Sequence, residues 1–343
     1  MSAIPASNIL VVGPSWVGDM VMAQSLFITL KQQQPDCLID VLAPAWSRPL
    51  LERMSEVNAA IDMPLGHGEF GFGKRRRLGV ALRANNYSQV IVLPNSWKSA
   101  LVPFFTGAPT RTGYVGEFRY GLLNDARKLD KTVLSMTVQR FCALAYAAYA
   151  ADAPQPPPIP TPVLSISDEG VETALNKHGL NNAEAILVLC PGAEYGPAKR
   201  WPEEYYAEVA RYWLDKGGQV WLFGSNKDEP VTTAINMLTE NRCVDLAGRT
   251  SLGEAIDLMS LATHVVSNDS GLMHVAASLG RSLVAIYGSS DPGFTPPLNA
   301  QARVLRLGLD CSPCFKRECP LGHLKCLKDL LPARVIDALE SAV

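Results

Sequence analysis

Short apolar runs alternate with longer stretches of helical periodicity along the whole chain. Residues 9–13, Ile-Leu-Val-Val-Gly, form the first run, and a helical pattern follows over residues 18–33. Residues 38–42 and 89–93 predict two more strands, and residues 49–54 and 97–105 predict helices. Apolar strands that alternate with helices indicate βαβ units and a parallel sheet covered on both faces. The segment 154–162, Pro-Gln-Pro-Pro-Pro-Ile-Pro-Thr-Pro, can continue neither a helix nor a central strand. It reads as an extended, semi-rigid connector. Beyond it the alternation resumes. Strands are expected at 186–190, 219–223, 264–267 and 283–287, with helices at 203–214, 231–238, 252–260 and 272–279. The expected fold class is α/β, with two Rossmann-like halves. These comprise an N-terminal domain over residues 1–153, a proline-rich linker over 154–163 and a C-terminal domain over 164–331. A last helix in residues 332–343 could return to the first domain. Ligands of open parallel sheets bind outside the carboxyl ends of the strands. Two such sheets facing each other would enclose a cleft.

A length of 343 residues supports two domains, and 48% hydrophobic with 19% charged residues is ordinary for a soluble enzyme. The net charge of −2 argues against a nucleic-acid partner. Residues 1–8 carry no Lys or Arg and resemble no secretory signal. The longest uncharged apolar run, residues 141–151, is well short of the ~18 residues of a membrane span. The expectation is a cytoplasmic protein, with peripheral membrane contact left open.

Candidate chemistry collects where strands end. After the first strand comes Gly13-Pro14-Ser15-Trp16-Val17-Gly18-Asp19, which lacks the dinucleotide fingerprint. Asp19 falls in the first turn of a helix, either as a dipole-stabilised cap or as a functional acid. Residues 68–74 imitate a P-loop, but Arg75 stands where Ser or Thr would hold magnesium, so that reading fails. What remains is the run Lys74-Arg75-Arg76-Arg77, read as a solvated helix face or an anion clamp. In the second half, residues 190–202 carry Lys199 and Arg200 beside a helix start, well placed for a diphosphate. Asp228 and Glu229 follow another strand and could take ribose hydroxyls or cap a helix. Val265-Val266-Ser267-Asn268-Asp269-Ser270-Gly271-Leu272-Met273-His274 is a strand, a tight turn and a helix start. A helix N-terminus offers unpaired N–H groups to an anion. Asp269 and Ser270 could simply cap that helix, and His274 could be a core histidine. With Gly271 and three other loops at strand exits, the diphosphate site is preferred. Finally, Cys311, Cys314, Cys319 and Cys326 follow a Cys-x2-Cys-x4-Cys-x6-Cys spacing with His323 inside it. Structural zinc, disulfides or packing would each account for them.

Together these segments resemble the ADP-heptose:lipopolysaccharide heptosyltransferases of glycosyltransferase family 9. The likeness also rests on Leu42-Ala43-Pro44-Ala45-Trp46, Leu93-Pro94-Asn95-Ser96-Trp97-Lys98-Ser99-Ala100 and Arg119-Tyr120-Gly121-Leu122-Leu123-Asn124-Asp125. It spans both halves. The resemblance implies a GT-B fold with the ADP-heptose donor in the C-terminal domain. It implies transfer of L-glycero-D-manno-heptose to the first heptose of the inner core, with inversion and with no cofactor required for catalysis. It implies Asp19 as the base and Lys199 on the donor phosphates, with Asp269, Gly271 and His274 in the donor loop. Asp228 or Glu229 would contact the ribose, and Lys74 to Arg77 the anionic acceptor. The acceptor is a lipid A–core molecule, so the enzyme is expected to act peripherally at the inner face of the membrane. The cysteine cluster lies outside the pattern common to the family. Competing readings are another nucleotide-sugar GT-B enzyme, an epimerase-like hydrolase, or a non-catalytic nucleotide-sugar binder.

Overall fold

The computed structural model describes residues 7–66, 68–147 and 155–341. The chain divides into two compact units, Met1–Leu164 and Ser165–Val343. The expected domain start at residue 1, the boundary at 153–154 and the end of the last helix fall outside the described residues. So does part of the apolar run at 141–151.

The first unit runs β1 (Asn8–Val12), α1 (Val17–Gln33), β2 (Leu38–Ala43), α2 (Arg48–Leu51), β3 (Val57–Asp62) and α3 (Phe72–Ala81). It continues with β4 (Gln89–Val92), α4 (Leu101–Thr106), β5 (Thr110–Tyr114), β6 (Asp125–Arg127) and α5 (Thr137–Ala143). Its six strands are parallel, in the order β3-β2-β1-β4-β5-β6. Leu10, Val12, Leu42, Val90 and Val92 bury one face of that sheet against Ala100, Val102 and Ala108. The order reverses between β1 and β4, which opens a crevice at their carboxyl ends.

Helix α1 buries two polar side chains for a reason visible at the linker. Gln24 donates to the Val163 carbonyl at 2.7 Å and accepts from its amide at 3.0 Å. Ser25 donates to the Pro160 carbonyl at 2.6 Å. The end of the proline-rich segment is therefore bound to the first unit, which extends through Leu164.

The second unit runs α6 (Asp168–His178), β7 (Ile186–Cys190), α7 (Glu203–Asp215), β8 (Gln219–Leu222), α8 (Glu229–Leu238), β9 (Val244–Asp245) and α9 (Leu252–Met259). It closes with β10 (His264–Asn268), α10 (Gly271–Ser278), β11 (Ser282–Ile286), β12 (Ala302–Leu305), α11 (Lys325–Lys328) and α12 (Pro332–Glu340). The parallel order is β12-β11-β10-β7-β8-β9. Counted from β7, this is the order of the first unit repeated, with its reversal between β7 and β10.

Helix α12 is built into the second unit. Val335, Ala338 and Leu339 sit in the core of the second unit with Tyr206, Ala210, Val284 and Ile286. The last helix thus packs on α7 and β11 of its own unit. Its apolar stripe matches a face that α7 leaves open there. Among the described residues, no helix is long and apolar enough to cross a membrane.

Candidate functional site

Strands β7 and β10 are neighbours, so their outlets, residues 191–202 and 269–270, lie side by side at the reversal of the sheet. Asn268, fully buried, joins them. Its side-chain amide donates to the Pro191 carbonyl at 2.6 Å, and its oxygen accepts from the Trp201 amide at 3.1 Å. The Trp201 indole is itself held by the Leu330 carbonyl at 2.8 Å. A loop with both ends tied this way can aim a side chain reproducibly.

That side chain is Lys199. Its ammonium reaches Asp269 Oδ2 at 2.5 Å, with the lysine side chain 17% exposed and the aspartate 5%. The ring of Tyr195 lies 5.1 Å from the same ammonium, within cation–π range. Asp269 and Ser270 lead into α10, whose N-cap Ser270 makes no side-chain bond to the helix. The first-turn amides and the positive end of the helix dipole are therefore not capped by the Ser270 side chain. His274, one turn in, is buried. Burial pushes its imidazole down to about 4, against the pull of Asp269 and with help from Lys199. At neutral pH the ring is therefore uncharged.

The adjacent loop, at the outlet of β8, holds Asp228, which faces Arg200. Asp228 Oδ2 accepts from the Ser225 amide at 2.9 Å and from its hydroxyl at 2.8 Å, closing a helix cap. Its Oδ1 lies 3.9 Å from Arg200. The carboxylate fits only because two neighbours are glycine. A Cβ on Gly192 would stand 2.5 Å from the Asp228 carboxyl carbon, and one on Gly224 2.7 Å from its Cβ. Asp228 is thus a structural acid first. Glu229 starts α8 beside Asn226 and Gly248. The structure gathers Lys199, Asp269, Ser270, Gly271 and His274 into one cluster, and Arg200, on the Lys199 loop, meets Asp228 from the outlet of β8.

In the first unit, Asp19 is half-buried in the first turn of α1, at the outlet of β1. The outlets of β4 and β5 are tied together by Arg119, which sequence reasoning left without a role. Fully buried, its guanidinium donates to the carbonyls of Tyr114 (2.7 Å) and Pro94 (2.5 Å), to Ser99 Oγ (2.9 Å) and to Asn95 Oδ1 (3.2 Å). Only its spacing within a family-like motif marked it; its partners are scattered over residues 94–114.

The basic run divides. Lys74, Arg76 and Arg77 are exposed, and Lys74 pairs with Glu69 at 3.1 Å. Arg75 is turned inward, where it donates to the Phe70 carbonyl at 2.7 Å and the Glu69 carbonyl at 3.2 Å. It lies on the same helix face as buried Gly79, so it clasps the preceding loop. This corrects its expected place among the acceptor ligands. Exposed Phe70, Phe72, Trp97 and Phe104 surround this end of α3, and Phe70 stacks on Phe72 and Trp97 at 6.4 and 6.3 Å.

Residues 75–325 match the family model described as glycosyltransferase family 9 (heptosyltransferase). The chain is 50% identical over 342 residues to lipopolysaccharide heptosyltransferase 2 of Escherichia coli strain K12, covering 97% of this chain and 98% of that protein. Identity to lipopolysaccharide heptosyltransferase 2 of Salmonella typhimurium is also 50% over 342 residues, with the same coverage. Lipooligosaccharide heptosyltransferase 2 of Haemophilus influenzae is 49% identical over 308 residues, 88% of each chain. The structure of the E. coli ADP-heptose lipopolysaccharide heptosyltransferase II superposes with a TM-score of 0.87 at 46% identity, covering 98% of both chains. Its fold, GT-B, is the fold of this chain. With two Rossmann-ordered units and this likeness along its whole length, the chain belongs to glycosyltransferase family 9, the heptosyltransferases.

Proposed function

We propose that this glycosyltransferase moves L-glycero-D-manno-heptose from ADP-heptose to the first heptose of the lipopolysaccharide inner core, with inversion. Half-identity over the full length of two enzymes named lipopolysaccharide heptosyltransferase 2 supports the reaction. The observation that carries the mechanism is the Lys199–Asp269 pair at the N-terminus of α10. ADP leaves readily once its diphosphate charge is neutralised. Lys199, Arg200 and the amides of Ser270 and Gly271 supply that neutralisation, and a preorganised set of this kind acts most strongly where charge develops. No metal is needed for that step. Asp269 keeps Lys199 aimed and serves as a donor ligand, while neutral His274 braces the helix start. The heptose C1 gains oxocarbenium character as its bond to ADP breaks. Asp19 then takes the proton of the attacking acceptor hydroxyl. Asp228 fixes the loop, which leaves Glu229 as the better candidate for a ribose contact.

The acceptor carries lipid A, so the encounter takes place at a membrane surface, on its cytoplasmic side. Lys74, Arg76, Arg77 and Arg83 with the exposed rings of Phe70, Phe72, Trp97 and Phe104 suit anionic head groups or core phosphates.

Two substitutions separate donor binding from chemistry. Asp19→Asn should bind ADP as the wild type does yet transfer roughly 100- to 10,000-fold more slowly, the usual range for a lost general base. Lys199→Ala should weaken ADP binding itself, read by calorimetry. Near-normal turnover in Asp19→Asn, or unchanged ADP affinity in Lys199→Ala, would remove that residue from its role.

A further inference from the structure

We propose that Cys311, Cys314, Cys319 and Cys326 bind one zinc ion, and that this ion fastens the segment that walls the Lys199 loop. All four thiols face a single cavity, together with Ala198, Ser289 and His323. They differ from the other four cysteines. Cys37, Cys142, Cys190 and Cys243 are fully buried and scattered, as packing residues are, whereas this quartet is half-exposed and gathered. Around Cys319 the chain turns tightly, with the Gly322 amide donating to the Cys319 carbonyl at 3.1 Å. Gly322 and Leu324 both adopt positive φ, 69° and 52°, in that turn. His323 is engaged otherwise, since its Nδ1 accepts from the Lys325 amide at 3.0 Å, so the donor set is four sulfurs. Among the described residues, no three His, Cys, Asp or Glu side chains are already arranged to hold a metal ion. Binding therefore draws the sulfurs from the cavity wall to about 2.3 Å from the ion.

The position of the quartet gives it a purpose. Residues 306–324, between β12 and α11, contain no helix or strand. A stretch of that length in a compact unit is uncommon without a function or a fastening. This one lies directly on the outlet of β7. The Ala198 amide donates to the Arg317 carbonyl at 3.0 Å, and the Tyr195 hydroxyl donates to the Phe315 carbonyl at 2.7 Å. The Phe315 amide in turn donates to the Ser289 carbonyl at 2.7 Å. A Cβ on Gly196 would meet the Arg317 carbonyl oxygen at 2.6 Å, which shows how closely the two backbones approach. Arg317 and Lys199 lie over the same Tyr195 ring. Zinc held by the four thiols would fix this wall, and with it the three residues before Lys199. The effect on the nucleotide rests on the donor-site reading above; metal binding does not.

The test begins with the full-length protein, purified without an affinity metal or a chelator and analysed by elemental mass spectrometry. One zinc per chain is expected. Titration with an organomercurial should release that zinc to a chromophoric indicator as four thiols react. This measurement needs no variant. Cys314→Ser and Cys326→Ser should lose the zinc, and Cys37→Ser should keep it. Removing zinc from the wild type should weaken ADP binding roughly 10-fold, the scale of a lost supporting contact, with recovery on adding zinc back. Wild-type protein without stoichiometric zinc, zinc that survives Cys314→Ser, or disulfides in place of the thiols would overturn the site. Unchanged ADP affinity after zinc removal would overturn the fastening role. Failure of the zinc-loaded protein to bind ADP would instead count against the donor site.

Discussion

Lys199 and Asp269 place opposite charges from two loops in a largely buried contact. Such a pair pays a desolvation cost that only good geometry offsets, and removing one member strands the other. His274 lies in the field of both, and its ionisation makes a separate prediction. An unfolded histidine takes its proton near pH 6.5, whereas His274 in the fold does so only at about 4. Between these values the unfolded chain holds more protons, so stability falls as pH drops from about 6.5 toward 4 and is level above. The loss is on the order of 3 kcal/mol. Denaturant unfolding across that range should show it, and His274→Gln should flatten it. A slope that persists unchanged in the variant would assign it to other groups. The site was legible in sequence as far as its residue types allowed. A glycine, an acid and an imidazole at a strand–helix junction raise the expectation of an anion site, and the structure brings them together with Lys199. The bracing role of Asn268 was not legible, because its partners Pro191 and Trp201 are remote in the chain. For Asp228 the sequence left a ribose contact and a helix cap open, and the structure shows the cap, with Ser225.

Helix α3 shows how an element reassigns its residues. Four consecutive cations read alike in sequence, but a helix turns each by about a quarter of a circle, so one must face inward. Arg75 is that one, with its guanidinium on two loop carbonyls, and burial lowers its affinity for the proton. Arg75→Ala should therefore cost about 1–3 kcal/mol by removing two charge-assisted hydrogen bonds that clasp the loop. Arg76→Ala and Arg77→Ala should stay within about 0.5 kcal/mol. Thermal unfolding of the three variants checks this, and equal effects would contradict the inward placement. The same logic explains which strands the sequence disclosed. β1, β2, β4, β7, β8, β10 and β11 are buried on both faces or nearly so and stand out as apolar runs. β3, β6, β9 and β12 lie at or near sheet edges and are half-exposed, and β5, Thr-Arg-Thr-Gly-Tyr, mixes polar residues into its ladder. Without contrast between faces, they carried no pattern to read. Helix α6 escaped for a related reason, since Ala174 is its one buried residue among those described.

For the whole chain, the two units repeat one strand order, and the candidate residues lie where that order reverses. The two α/β halves followed from the alternation of elements and the proline-rich segment, but their strand order did not. The attachment of residues 160–163 to α1 and of α12 to the second unit did not, because both depend on packing between distant segments. The proposed reaction uses residues of both units, and that reaction is the central claim. It is tested most directly by incubating the protein with ADP-heptose and measuring released ADP, with and without lipopolysaccharide truncated after its first heptose. The account predicts ADP release that depends on acceptor, with one heptose added for each ADP. Release at the same rate without acceptor would make the protein a hydrolase. No release in either case would make it a binder, and either result would contradict the account.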